Sequence, residues 1–172
     1  QGVDFRMPGL KDKLRMIDTA SGYAGRAVPD TPAPRECYRR SERFALSSFV
    51  GLEHLNVLPE IYGFPFPKHI SPQDFLFLDT ETTGLSGGAG TVAFEVGLGY
   101  VSNGRFVVEQ FLMRDYPEEP LLLQKVAELA SGFPVLVTFN GKTFDAPLLE
   151  SRFVMNRVPG ARLPALHADV LH

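Results

Sequence analysis

A chain of 172 residues with 44% apolar side chains can bury one sizeable core, so one compact domain plus an appendage is expected. The formal net charge of −3 gives no overall pull toward nucleic acid, which leaves a local basic patch or bridging cations as routes to it. With no apolar run near the ~20 residues of a membrane span, no signal-like start and Cys37 as the single cysteine, a soluble cytoplasmic protein is expected, without a disulfide.

Residues 1–72 hold eight of the fourteen prolines and little sustained periodicity. They are expected to form an N-terminal extended arm against the main domain, partly irregular. A short helix is expected over Leu10–Thr19 and a basic loop around Arg35, Arg39, Arg40 and Arg43, with apolar anchors between Leu46 and Leu58. These arginines suit contact with nucleic acid, although a solvated loop is the simpler account.

From residue 73 the pattern becomes regular. Phe75–Thr80 is almost continuously apolar, as in a strand buried on both faces. It leads into Asp79-Thr80-Glu81 and a Thr-Thr-Gly turn. Residues i and i+2 of a strand share a face, so Asp79 and Glu81 project side by side. Two like charges so close repel, and a hard divalent cation, Mg²⁺ or Mn²⁺, relieves the conflict. The competing reading is a pair of acids that solvates the strand's exit into a loop.

The Gly-rich stretch Ser86–Gly90 lacks the Gly-Lys-Ser/Thr ending of a phosphate loop and precedes a strand, which argues against nucleotide binding there. A closely packed crossing beside the site is expected instead. Thr91–Val101 and Arg105–Arg114 read as strands joined by an Asn103-Gly104 hairpin turn. Glu118–Ala130 has helical spacing, Pro134–Asn140 reads as another buried strand, Phe144–Asn156 as a helix and His167–Leu171 as a fifth strand. Three strands followed by alternating helices imply an α/β fold, a mixed five-stranded sheet flanked by helices over residues 73–172.

A second cluster, Thr138 to Leu149, ends a strand in Asn140-Gly141-Lys142 and places Asp145 in the first turn of a helix. An acid there suits the helix dipole, which is the structural account. Beside Phe75–Thr80 it also supplies a third carboxylate facing Asp79 and Glu81.

Asp-Thr-Glu-Thr-Thr-Gly followed by Asn-Gly-Lys-x-Phe-Asp resembles the first two motifs of the DEDD (DnaQ-like) 3′–5′ exonucleases, which have a ribonuclease-H-like fold. Leu85–Tyr100, Phe139–Phe153 and Leu166–His172 are similar to the YprB-type branch of those proteins, so the resemblance covers about residues 73–172. It implies a metal-dependent exonuclease that hydrolyses phosphodiester bonds by a two-metal mechanism, on DNA or RNA with a single-stranded 3′ end. Asp79 and Glu81 match the first-motif ligands of Mg²⁺ or Mn²⁺, and Asp145 the second-motif acid. Two ions ~3.5–4 Å apart would share Asp79. Thr82, Thr83 and Leu85 lie where the family contacts the terminal nucleotide, with turn chemistry and packing as the alternative. Asn140 is expected to position the site or the substrate backbone, and Lys142 to approach a phosphate or stand as an exposed turn lysine.

The family's fourth carboxylate belongs to a third motif on a later helix, after a Tyr or His. The chain is expected to end before it, leaving the site of this piece incomplete. Asp169 is expected as a strand-end polar group behind the site, and His167 and His172 as structural or surface residues. The alternative function is a nucleic-acid-binding or scaffold module with the same fold and no turnover.

Overall fold

The computed structural model describes residues 37–48, 70–84 and 90–171. Leu10–Thr19, Arg35, most of the apolar anchors before Leu58, Leu85, most of the Gly-rich stretch and His172 therefore lie outside the described residues. Eight main elements follow in chain order: β1 (Tyr38–Ala45), β2 (Phe75–Thr82), β3 (Ala93–Ser102), β4 (Arg105–Leu112), α1 (Glu119–Ala130), β5 (Val135–Thr138), α2 (Asp145–Met155) and β6 (Leu166–Asp169).

The strands form one mixed sheet in the order β1-β4-β3-β2-β5-β6. β3 runs antiparallel to both β2 and β4, whereas β5 is parallel to β2 and β6 parallel to β5. The α/β, ribonuclease-H-like expectation holds, with six strands in place of five. Asn103 and Gly104 adopt φ of 51° and 70°, the left-handed backbone that a tight hairpin requires and that Asn and Gly accept most readily.

The added strand is β1, which pairs antiparallel along the whole of β4. Arg39, Arg40 and Arg43 thus lie in an edge strand and not in a basic loop. Its side chains are almost all exposed, so no apolar alternation marks it in the sequence, and main-chain pairing supplies the attachment. Arg39 fastens it further. Its guanidinium bonds the Glu109 carboxylate at 2.5 Å, and the Tyr100 hydroxyl donates to the same oxygen at 2.8 Å. Glu109 is buried, so without these partners it would be a desolvated charge.

Alternation along β2 decides how the sheet is covered. Leu76 and Leu78 face one side, where they meet Val96, Leu98 and Phe111 from the sheet and Leu122, Val126, Leu149 and Phe153 from the two helices. Each such side chain contributes about 1.5–3 kcal/mol on burial. Glu119 at the start of α1 and Arg152 in α2 form a buried pair with two bonds of 2.5 Å, which ties the helices together on that side. The opposite side holds a smaller cluster of Phe75, Val135, Val137 and Ala168. Among the described residues, no helix is long and apolar enough to cross a membrane.

Candidate active site

β2 lies in the interior of the sheet, and its apolar half ends where Asp79 begins. Asp79 and Glu81 continue the Phe75–Phe77 face and are exposed. They border an open cleft of about 560 Å³ on the side of the sheet away from the helices, which Phe77, Gly97, Gly99, Val108 and Phe139 also line. β2, β5 and β6 are parallel, so the cleft meets their carboxyl-terminal ends, the usual place for ligands in such sheets. A bulge between Glu81 and Thr82 ends the regular pairing with β3 beside the acids.

Gly97 is the cross-strand partner of Asp79 and Gly99 that of Phe77. A Cβ on Gly99 would stand 2.8 Å from the Phe106 ring, so the floor of the cleft admits only glycine there without repacking.

Asp145 takes a different position. It is buried at the start of α2 and accepts a hydrogen bond from the Thr80 hydroxyl, and Thr80 points to the opposite face of β2 from Asp79. Its carboxyl is pushed above the usual range, first by burial, while the Thr80 bond opposes the shift and the charge on Asp79 adds to it. Asp145 therefore feels the charge of Asp79, although it lies on the other face of the strand. Among the described residues, no three carboxyl, imidazole or thiol groups come close enough together to hold an ion.

Glu95 is a carboxylate that sequence reasoning missed. It is the cross-strand partner of Glu81, lines the same cleft and accepts a 2.7 Å bond from the Gln110 amide. Burial raises its pKa most; the Gln110 bond opposes this, Glu81 and Asp79 raise it further, and Arg40 lowers it. The available signal was the alternation Glu95-Val96-Gly97-Leu98-Gly99, which places Glu95 and both glycines on one face once the hairpin register is known.

Thr82 and Thr83 shape the turn after β2. The Thr82 hydroxyl donates to the Gly84 carbonyl at 2.9 Å, and the Thr83 hydroxyl accepts the Val92 N–H at 3.1 Å. The turn that follows β5 is held from β6. Asp169 is fully buried and its carboxylate accepts the N–H groups of Asn140 at 2.8 Å, Lys142 at 2.7 Å and Leu171 at 3.0 Å. Asn140 has φ of 62°, and its side-chain oxygen accepts from the Thr143 hydroxyl at 2.7 Å. Gly141 is obligatory for packing, since a Cβ would lie 2.5 Å from the Thr138 side chain. His167 bonds Thr138 at 2.7 Å, and burial, followed by the charge of Lys142, pushes its pKa down.

The donor set suits a hard divalent cation. Asp79, Glu81 and Glu95, the acids of the cleft, offer only carboxylate oxygen. Asp79 raises the carboxyls of Glu95 and Asp145 and Glu81 raises that of Glu95, and added positive charge would relieve that repulsion.

A family model described as the RNase_H superfamily matches residues 76–172, more than half of the chain. A relative from Bacillus subtilis (strain 168), whose name reads "Uncharacterized protein YprB", is 36% identical over 139 residues. That match takes in 78% of this chain and 33% of the relative, so the chain spans about a third of the length of the curated relative it matches.

Proposed function

This chain belongs to the RNase_H superfamily, and on that premise we propose that it carries most of a metal-dependent 3′–5′ exonuclease acting on a single-stranded end of DNA or RNA. RNase H-like nucleases generally use divalent metals such as Mg²⁺, and their fold implies a nucleic-acid substrate. One observation carries the proposal. Asp79 and Glu81 stand on one face at the carboxyl-terminal end of β2, in an open cleft that Glu95 also lines.

Asp79 and Glu81 would hold Mg²⁺ or Mn²⁺ with Glu95 beside them, and Asp145 would join them on turning away from Thr80. When bound, the metal supplies an acidified water and stabilises charge on the phosphate and the leaving oxygen. The chain's own residues set the stage for this. The carboxylates keep a strongly negative pocket that phosphate enters only with a cation. Thr80 holds Asp145 in one orientation. Thr82, Thr83 and Leu85 would border the terminal nucleotide, with Asn140 and Lys142 on the turn at the other side of the cleft.

The test is digestion of single-stranded DNA and RNA with Mn²⁺ by a longer protein containing this domain, with Asp79→Ala as control. Cleavage unchanged in that variant would refute the assignment. In parallel, Mn²⁺ should raise the melting temperature of the 172-residue chain but not that of its Asp79→Ala form. A second reading, nucleic-acid binding without turnover, is favoured by the position of Asp145 on Thr80, away from the cleft face. Binding that persists in chelator, with no cleavage by the longer protein, would support it.

A further inference from the structure

An exposed apolar residue standing alone needs no explanation. Phe139 is different in three respects. It is 68% exposed, although the four residues before it, Val135 to Thr138, are all buried. It lines the same cleft as Asp79 and Glu81. Its backbone is also held on both sides: the Thr138 carbonyl accepts the Val170 N–H at 2.8 Å, and the buried Asp169 carboxylate takes the next N–H, that of Asn140. A large ring is thus presented to solvent from a preorganised support beside the acids.

We propose that Phe139 is a stacking platform for a nucleobase of the single-stranded substrate, next to the phosphate that reaches Asp79 and Glu81. The inference rests on the nuclease reading and names how that site takes its substrate. The chemistry is matched. Every base offers a flat π-face to a Phe ring, so the contact is tolerant of sequence and independent of charge. It supplies attraction where the carboxylates repel phosphate. Gly97, without a side chain, leaves space beside Asp79 over the floor of the cleft, the Phe106 ring covers Gly99, and Phe77 and Val108 add apolar walls.

The experiment measures binding of fluorescent single-stranded oligonucleotides to the 172-residue chain by anisotropy with Ca²⁺ in place of Mg²⁺ or Mn²⁺, a hard cation that offsets the carboxylate charge. Phe139→Ala, Phe139→Leu and Phe139→Tyr are compared with the parent chain, on an intact oligonucleotide and on one with abasic sites at its last two 3′ positions. Stacking predicts binding weakened about five- to 150-fold in the Ala form, from about 1–3 kcal/mol per stacked base. The Leu form should fall between, and the Tyr form should bind as the parent does. The abasic oligonucleotide should lose affinity for the parent chain and little more for the Ala form. Equal binding by parent and Ala forms overturns the proposal, as does equal loss in the Ala and Tyr forms. Absence of any oligonucleotide binding by the parent overturns it too. The nuclease reading fails separately: stacking stands if these binding results hold while the longer protein cleaves nothing with Mn²⁺.

Discussion

Replacing Asp169 by Ala removes an acceptor used by three backbone N–H groups, two of them in the turn that carries Asn140 and Lys142. A hydrogen bond to a charged group contributes about 1.5–3 kcal/mol. The Leu171 bond lies at an exposed position and counts for little, so the Asn140 and Lys142 bonds set the scale. Both residues are half-buried, and water can partly replace the lost acceptor, which brings the expected loss to about 3–4 kcal/mol. Asp169→Asn separates acceptor from charge. Asn140 and Leu171 both bond Oδ1, which the amide oxygen retains, whereas Lys142 bonds Oδ2, where an NH₂ group would face its N–H. The Asn form should lose about 2 kcal/mol, from one broken bond and an opposed donor pair. Urea unfolding gives the two values, and hydrogen exchange should show lost protection at Lys142 in both variants but at Asn140 mainly in the Ala form. A loss below about 1 kcal/mol for Ala, or Asn as damaging as Ala, would refute the reasoning.

Two further outcomes follow from the same geometry. Glu119→Ala or Arg152→Ala should each cost about 3–5 kcal/mol in urea unfolding, because either takes from a buried charge its ion-pair partner, while joint replacement by Met should cost less than either single change. Glu95→Gln keeps an acceptor for Gln110 and removes a charge that the fold disfavours. Because the folded-state pKa is raised above the ordinary 4.5, the group's favourable contribution is present below that value and is lost as pH rises through the folded pKa. The Gln variant should therefore melt higher than the parent at pH 7–8 and equal to it below about pH 4.5; a constant difference across that range would count against the placement of Glu95.

Much of the architecture is legible in the chain. Phe75–Leu78 announces a central strand by continuous apolar character, Asn103-Gly104 announces the hairpin, and Leu122, Val126 and Leu149 mark the buried helical stripes. β1 was not legible, because an edge strand held by main-chain pairing carries no apolar code, and Arg39 acquires its meaning only from Glu109 across the sheet. At the site, the i, i+2 spacing of Asp79 and Glu81 states their common face without any coordinates. Two other facts depend on strands distant in sequence. Glu95 reaches Glu81 only through the β2–β3 register. Asp169 becomes the anchor of the Asn140–Lys142 turn only through the β5–β6 pairing.

Asp145 makes the division plain. The sequence by itself determined that three acids sit at the ends of neighbouring elements, since local periodicity governs which way each strand residue points and where a helix begins. Only the tertiary structure decided that Asp145 meets Thr80 behind β2 while Glu95 joins Asp79 and Glu81 in the cleft. Strand order and register bring those groups together, and they are set by how the sheet buries its two faces, a property of the whole chain and not of any one segment.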